Sequence, residues 1–220
     1  METCTLEFER KTINLHGARI MHVLTPTPSC QYKSITAIND GKGNDYIFAN
    51  GSGFGLLARI FAVCEKLQKN EFVYLPLNFA YLDGYRAYYE GMQETHYAGI
   101  AMVNYCGLQL HTKDMVSVLS TKVYKIDKTE RVPRLPKEPI AQWKTERRLT
   151  VKTQGEIILI SANGDGFVDL AQSCTHLAQC GDDPKYNDYP PHRHHDWKET
   201  TSKSAGITFF YWQCPLLDLH

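Results

Sequence analysis

The segment from Gly164 to Gly181 constrains the fold more than any other part of the chain, because it has the clearest helical pattern. Asp165 is suited to cap the start of this helix, Asp169 lies near the positive end of its dipole, and Gly181 can close the far end. The opposite face carries uncharged polar residues in place of the Lys and Glu that solvated helices usually carry. We therefore predict that one face is buried and that the other hydrogen-bonds to another protein surface. Apolar residues share the buried face at positions 167, 170, 171, 174, 177 and 178.

Composition favours one soluble domain that associates with other proteins. The chain has 220 residues, of which 43% are hydrophobic, so it can form a sizeable core. Lys and Arg together number 24, as do Asp and Glu, and a net charge near zero favours association. Neutrality also argues against nucleic acid as the main partner. The sequence shows no signal peptide and no apolar run long enough to span a membrane, and its seven scattered cysteines are typical of a reducing compartment.

The order of the predicted elements lacks a regular βα alternation. A second helix is predicted to begin at Ser52, its N-cap, and to end near Asn70. The turn signal at 39–45 predicts a hairpin, and Pro76 places its own strand at a sheet edge or splits it. Strands are predicted at 1–15, 19–24, 31–39, 45–49, 71–82, 96–105, 115–126, 156–162 and 207–213.

Two polar segments separate these elements. Residues 128–148 contain three prolines and are predicted to extend over the surface. Residues 182–206 are predicted to form a long loop. Together these features predict an α+β fold with an antiparallel β-sandwich core and helices packed on the outside, in a single domain over 1–220.

The glycines at Gly51, Gly53 and Gly55 lead into the second helix and resemble a phosphate-binding turn. In such a turn, glycine amides approach a pyrophosphate at the N-terminus of a helix. The spacing here is not GxGxxG, however, and no second βα unit follows. We therefore expect a turn and a helix cap, with nucleotide binding as the alternative.

The run HRHHDW contains three histidines that are candidates for metal binding. Ligands on a loop can converge, and a fourth ligand is available from Cys174, His176 or Cys180. No standard zinc spacing is present, so we expect no metal and a histidine cluster that responds to pH near 6–7 at a contact. The three residues are His192, His194 and His195.

We expect no catalytic residue. Cys174 lies on the apolar face of the helix that begins at Gly164. Cys180 lies at the end of that helix, where the dipole disfavours a thiolate. Neither cysteine therefore suits a nucleophile.

The thirteen tyrosines favour packed contacts, since tyrosine buries its ring while its hydroxyl forms a hydrogen bond. A phenol ionises near pH ~10, and a buried charge without a partner is costly. Crowded tyrosines would therefore separate packed surfaces in alkali. With the three histidines, the candidates for assembly and pH-dependent release are Tyr81, Tyr85, Tyr88, Tyr89, Tyr97 and Tyr105.

Asp169, Gln172, Ser173 and Cys174 form a D-x-x-Q-S-C run that resembles the motif on a helix near the C-terminus of the cypovirus polyhedrins. These proteins crystallise inside infected insect cells and embed virus particles. Further similarity lies in the order of elements over roughly two-thirds of the chain, while identity outside the helix is low. The similar parts are the hairpin, strand and helix over 31–70, the apolar strands at 97–105, and Tyr189-Pro190 in the C-terminal loop.

The resemblance implies a β-sandwich with outer helices and a structural protein that is not an enzyme. It implies homotrimers packed into the crystalline matrix of viral occlusion bodies, in the cytoplasm of the infected host cell, with virus particles as cargo. It implies stability near neutral pH and dissolution in alkali. The family usually begins with a projecting helical arm, whereas this chain begins with a short, strand-like arm. No cofactor is expected; nucleotides trapped in crystals are a property of the family for which no binding residue can be matched here.

Two other functions remain open. The first is a small nucleotide- or phosphoester-processing enzyme that uses the Gly51–Gly55 turn and the His192–His195 cluster. The second is a host-interaction module in which residues 128–148 bind a protein partner. The second alternative predicts a soluble monomer with a protein partner, and the first predicts binding of nucleotides or zinc.

Overall fold

The chain adopts an α+β fold, as the sequence predicts. The computed structural model describes residues 5–15, 19–27, 34–77, 95–108, 112–180, 190–196, 198–202, 204 and 206–212. Within this part the helices are α1 (Gly51–Cys64), α2 (Thr112–Ser120), α3 (Gln142–Thr145) and α4 (Gly164–Cys180). The strands are β1 (Leu6–Leu15), β2 (Arg19–Pro26), β3 (Ile35–Asn39), β4 (Asp45–Ala49), β5 (Glu71–Pro76), β6 (Thr95–His96), β7 (Gly99–Asn104), β8 (Lys125–Arg131), β9 (Leu149–Gln154), β10 (Ile157–Ala162), β11 (His192–His195) and β12 (Ile207–Tyr211).

The strands form two mixed sheets. A seven-stranded sheet has the order β8-β1-β2-β5-β7-β10-β9, and a five-stranded sheet has the order β11-β12-β4-β3-β6. The pairs β2–β5, β7–β10 and β4–β12 are parallel, and the other neighbours are antiparallel. Each parallel pair is separated by a long stretch of chain, as parallel neighbours require. The sheets are thus not antiparallel throughout.

Helix α1 is an internal helix, which differs from the expectation that the helices pack outside. Phe61 stacks on Phe209 of β12 with ring centroids 5.9 Å apart. Cys64 Sγ lies 3.9 Å from the sulfur of Met102 in β7, so α1 contacts both sheets. The reason is its composition: Arg59 is its one charged residue, and a helix that is apolar all round is buried.

Helix α4 packs against α1 in the opposite direction. Phe167 stacks on Phe61 with ring centroids 6.2 Å apart, and Gly164 at the start of α4 lies beside Glu65 at the end of α1. The predicted apolar face is buried, with Ala178 partly so. The predicted cap is wrong: the Asn163 side chain, one residue before the helix, accepts a 2.9 Å hydrogen bond from the N–H of Gly166.

Helix α2 covers the other face of the seven-stranded sheet. Its Val118 is fully buried in a cluster with Met21 of β2 and Phe72 of β5. The sequence predicts a strand over 115–126, and this prediction is wrong for 115–120. Apolar positions 115, 118 and 119 recur at helical spacing, and this pattern outweighs the β-branched valines.

The remaining boundaries differ from the predictions in specific ways. The hairpin of β3 and β4 is confirmed. Helix α1 ends at Cys64, short of Asn70, and Asn50 rather than Ser52 caps it by accepting a hydrogen bond from the N–H of Gly53. Strand β5 ends at Pro76 but lies inside its sheet, not at an edge. Strand β9 was not predicted, and β11 falls within the segment predicted as a loop over 182–206.

A buried carboxylate anchors the edge of the seven-stranded sheet. Glu71 of β5 has a fully buried side chain whose oxygens accept hydrogen bonds of 3.0 and 3.3 Å from Arg131 at the end of β8. Glu71 also accepts a 3.0 Å bond from the N–H of Gln68, and Arg10 of β1 lies 3.9 Å away. A buried charge needs such partners, so this network fixes the C-terminal end of β8 against the sheet.

The packing of α1 gives a test in which two glycines of one helix respond in opposite ways. A Cβ at Gly53 would lie 2.8 Å from the carbonyl oxygen of Ser34 and 2.9 Å from the Cβ of Ala49, whereas a Cβ at Gly55 would contact nothing within 4 Å. We expect Gly53→Ala to lower the free energy of unfolding by about 1–2 kcal/mol through overpacking. We expect Gly55→Ala to raise it by about 0.5–1 kcal/mol through helix propensity. Urea unfolding of both variants measures this, and equal effects would contradict the packing.

Candidate functional site

The predicted histidine cluster lies on β11, an edge strand of the five-stranded sheet. Strand alternation places His192 and His194 on one side, with their rings 4.9 Å apart, and His195 on the other. The ring of His192 also stacks on Phe210 of β12. The structure therefore divides the cluster between two faces, and its three rings do not converge on one point.

His194 forms a local hydrogen bond on the outer side of β11. Its Nδ1 lies 2.8 Å from the hydroxyl of Thr208. Partial burial, followed by the proximity of His192, lowers the pKa of His194. The folded chain therefore disfavours the protonated ring, and its stability falls when the pH drops below the ordinary histidine range near ~6.5.

His195 faces inward and connects β11 with α4, the helix that carries the D-x-x-Q-S-C run. Its ring is fully buried and meets Phe209 edge-on with centroids 5.2 Å apart. Its Nδ1 lies 3.5 Å from a carboxylate oxygen of Asp169 on α4, and neither ring nitrogen has a hydrogen bond within the described residues. Asp169 of the motif and His195 of the cluster thus form one contact, although they were predicted separately.

Two open polar clefts adjoin this contact. One, of about 390 Å³, runs along β11 beside His192 and His194, and the other, of about 300 Å³, lies beside Asp169. Both are lined by Arg193 and Glu199, whose side chains lie 3.7 Å apart. Charges of both signs therefore compensate one another within the clefts. Such surfaces differ from the concave, mostly apolar pockets that hold small ligands.

No metal centre is formed by the described part of the chain. Within it, no three His, Cys, Asp or Glu side chains come close enough together to hold an ion. His192 and His194 lie on the face of β11 opposite to His195, so the proposed ligands are separated by the strand itself.

The glycine turn is occupied by the fold. The N–H of Gly53 is bonded to the Asn50 side chain, and its Cα faces Ser34 and Ala49 at close range. Gly51 lies beside the carbonyl of Ala178 in α4. These contacts give Gly51 and Gly53 a packing role at the start of α1, where a phosphate would have to approach.

The polar face of α4 is partly used within the chain. Gln172 accepts a 3.2 Å hydrogen bond from the N–H of Ile140 and donates one to the carbonyl of Glu138. It thereby fixes the extended segment 132–141, which follows β8. Ser173 and Cys174 are buried, and burial raises the pKa of Cys174 well above its usual value, which disfavours a reactive thiolate.

Cys180 and His176 form a contact that the sequence analysis did not pair. The sulfur lies 3.3 Å from Nε2 of the imidazole, one helical turn earlier on α4. The signal was present in the sequence, since residues four apart on a helix are neighbours. Cys64, Cys106, Cys174 and Cys180 are all unpaired thiols in the described part of the chain.

Of the tyrosines predicted to act in assembly and release, Tyr97 is the one that the structure describes most fully. It is 3% exposed, and its hydroxyl donates a 2.7 Å hydrogen bond to Asp45 of β4. Burial, followed by this hydrogen bond, raises its pKa well above 10. Tyr105 is half-buried in the turn after β7. The other four, Tyr81, Tyr85, Tyr88 and Tyr89, lie outside the described residues.

Exposed apolar side chains concentrate along one edge of the molecule. Tyr124 is 83% exposed, Ile126 is 57% exposed and Val132 is 54% exposed, and Leu135 follows. All belong to β8 or to the chain that flanks it, and β8 is an edge strand with β1 as its partner among the described strands. The sequence predicts 128–148 as a polar segment over the surface, whereas the structure shows an alternation that begins before it and points even-numbered residues outward.

The comparisons with known proteins identify no relative. No family model, no curated protein and no solved structure matches the chain. Within the described residues, no helix has both the length and the apolar character needed to cross a membrane.

We predict that Tyr97→Phe flattens the alkaline dependence of stability. The folded chain holds the phenolic proton more tightly than the unfolded chain, so this stabilisation is complete below pH ~10 and is lost as the pH rises toward the raised pKa. The variant loses one hydrogen bond, worth about 1 kcal/mol at pH 8, but titrates no phenol at this position. Urea unfolding of dilute protein from pH 8 to 12 measures the effect, with the exposed Tyr124→Phe as control. Parallel profiles for Tyr97→Phe and the unmodified chain would contradict the assignment.

We predict that Gln172→Ala releases segment 132–141 from α4. Both hydrogen bonds that hold this segment to the helix come from this side chain. Trypsin should therefore cleave after Arg134 and Lys137 several-fold faster, because proteolysis follows local opening. Gln179→Ala, an exposed position on the same helix, should leave the cleavage rate unchanged. Equal rates in the two variants would show that Gln172 does not fix the segment.

Proposed function

We propose that this chain is a structural protein that assembles with copies of itself, as in the crystalline matrix of viral occlusion bodies. The observation that carries the proposal is the row of exposed apolar side chains at Tyr124, Ile126, Val132 and Leu135, beside a strand edge that no described strand covers. The strand itself is charged, as edge strands usually are, but a row of exposed apolar side chains beside it is typical of a protein contact. The zero net charge of the chain acts in the same direction.

The family resemblance supplies the finer part of the proposal. It rests on Asp169, Gln172, Ser173 and Cys174 of α4. On this basis we propose a sandwich-type core that packs as homotrimers into an occlusion body in the cytoplasm of an infected cell. Virus particles would be the cargo, alkali would release them, and neither nucleic acid nor membrane would be a partner. The two clefts beside β11 are compatible with a non-enzymatic role, because they are open and their charges compensate one another.

The enzyme alternative draws no specific support from the geometry. The start of the Gly51–Gly55 turn is packed against neighbouring backbone. The histidines of the His192–His195 strand lie on two opposite faces of β11. A thermal-shift series with nucleotides and zinc discriminates the two functions. A large shift that His194→Ala abolishes would favour the enzyme.

We predict that the chain forms assemblies at pH 7 that disperse in alkali. Expressing insect cells should contain refractile crystals, and sedimentation velocity of the purified chain at high concentration should show species much larger than the 25.1 kDa monomer. Above pH ~10 the tyrosines and lysines titrate, so the large species should decline. A single 25.1 kDa boundary at high concentration and pH 7, with no crystals in cells, would contradict self-assembly.

A further inference from the structure

The outer edge of β8, which no described strand covers, carries charges in an order that is complementary to itself. From residue 124 to residue 134 the chain reads Tyr-Lys-Ile-Asp-Lys-Thr-Glu-Arg-Val-Pro-Arg. Thr129 stands at the centre, and four of the five pairs of residues at equal distances on its two sides are favourable, whereas the fifth joins Lys125 with Pro133 and adds nothing. We propose that β8 pairs with β8 of a second copy, antiparallel, about a twofold axis at Thr129. This deepens the proposed self-assembly, and rests on it, by naming one contact and its register.

Four of the five kinds of cross-strand pair in this register would be favourable, and each would form twice. Directly opposed residues in an antiparallel pair lie on the same face and contact each other. Two of the pairs join opposite charges, one joins two exposed apolar side chains, and one places a guanidinium beside an aromatic ring. They are Lys128 with Glu130, Asp127 with Arg131, Ile126 with Val132, and Tyr124 with Arg134.

The backbone of β8 is oriented for this pairing. Glu7 of β1 accepts a hydrogen bond from the N–H of Thr27 beside β2, so odd-numbered residues of β1 bond toward β2 and even-numbered ones toward β8. The carbonyl of Thr12 accepts the N–H of Tyr124, one residue out of step with the register in which Thr12 faces Lys125, so the parity of β8 holds only after Tyr124. With the register of β1 and β8, this leaves the N–H and C=O groups of Ile126, Lys128 and Glu130 pointing outward.

Two details of the edge agree with the orientation. The carbonyl of Glu130 accepts a 3.3 Å contact from the Arg131 side chain in an exposed position, as an unpaired edge carbonyl can. Pro133 lacks an N–H. It is odd-numbered, however, like the residues of β8 whose N–H groups point toward β1, so its missing donor would not remove a hydrogen bond to an outer strand. Thr129 and its copy would then face each other as a non-hydrogen-bonded pair across the axis.

Charged side chains on an edge strand usually prevent pairing with another strand. The edge of β8 differs in the order of its charges, which matches opposite signs across the proposed axis. Registers centred on Asp127, Lys128, Glu130 or Arg131 would each bring that charge against its own copy. A register centred on Ile126 matches Lys125 with Asp127. It would use only residues 124–128, however, because the chain leaves the strand before 124, and it would leave Val132 exposed. The register centred on Thr129 pairs residues 127–131 within β8, and it requires residues 132–134 to continue the strand in the dimer.

The Lys128–Glu130 pairs would contribute most to specificity. Arg131 is already engaged with Glu71, and Asp127 lies 2.9 Å from Lys125, so their cross-copy pair adds less. Lys128 lies 2.9 Å from Glu7 and is 78% exposed, and Glu130 is exposed without an ion pair among the described residues. Both can therefore reach a partner across the edge.

Charge reversal tests the contact between copies. We expect Lys128→Glu alone and Glu130→Lys alone each to weaken dimerisation by at least about tenfold in Kd, because two attractive pairs become repulsive. An equimolar mixture of the two variants should recover wild-type association, since every pair in the mixed dimer is again opposite in sign. Sedimentation equilibrium against concentration measures this. Lys152→Glu, on the opposite edge strand of the same sheet, is the control for net charge and should associate like the wild type.

A cysteine at the axis tests the register. In Thr129→Cys the two Cα atoms would lie about 4.5 Å apart, within disulfide range, and oxidised glutathione would take up the two electrons as the bond forms. We expect a disulfide-linked dimer that is absent from the wild type and from Ile126→Cys. Cross-linking of Ile126→Cys instead would overturn the register. If larger assemblies persist in both charge variants and Thr129→Cys forms no disulfide-linked dimer, the β8–β8 contact is wrong. The proposal of self-assembly would stand in that case. Dimers with no larger species would support the contact and contradict the lattice.

Discussion

The packing of α1 against α4 is the interaction on which the other layers depend. Phe61, Phe167 and Phe209 form a stack that joins the two helices to the five-stranded sheet, and each ring is fully buried. Burying a side chain of this size stabilises a fold by roughly 1.5–3 kcal/mol, whereas an exposed ion pair contributes about 0–1 kcal/mol. The apolar interior therefore determines the fold, whereas the surface charges influence which partners the folded chain binds.

Glu71 is the exception that connects these two roles. It is a fully buried carboxylate in the middle of the seven-stranded sheet, and its main partner is Arg131 at the end of the outermost strand. Because the buried charge requires that partner, the position of β8 is coupled to the core. An edge strand held in this way is preorganised, and a preorganised edge loses less conformational freedom on pairing.

The sequence predicts the elements with strong local patterns and misses those defined by distant contacts. Helix α4, the β3–β4 hairpin and strand β10 follow from periodicity and turn residues. Strands β9 and β11 are polar edge strands whose exposed residues hide the alternation, so nothing local separates them from loops. The candidate residues could be named from sequence, but not their partners: Tyr97 bonds Asp45, 52 positions away, and His195 meets Asp169 across two elements.

Alkali would act on this protein in two separable places. Inside the fold, the Tyr97 phenol is buried against Asp45, and its ionisation would weaken the folded chain itself. At the edge of β8, loss of the Lys128 charge would remove attraction between copies, and the hydrogen bond to Glu7 raises the pKa of that lysine. Both changes fall above pH ~10, so dissolution in alkali alone does not reveal which occurs. Salt separates them, because the Debye length falls to about 3 Å at 1 M, where exposed ion pairs weaken while a buried phenol is screened much less. An assembly that disperses in salt at neutral pH and yields folded subunits would thus be held by its edges, whatever alkali does to its core.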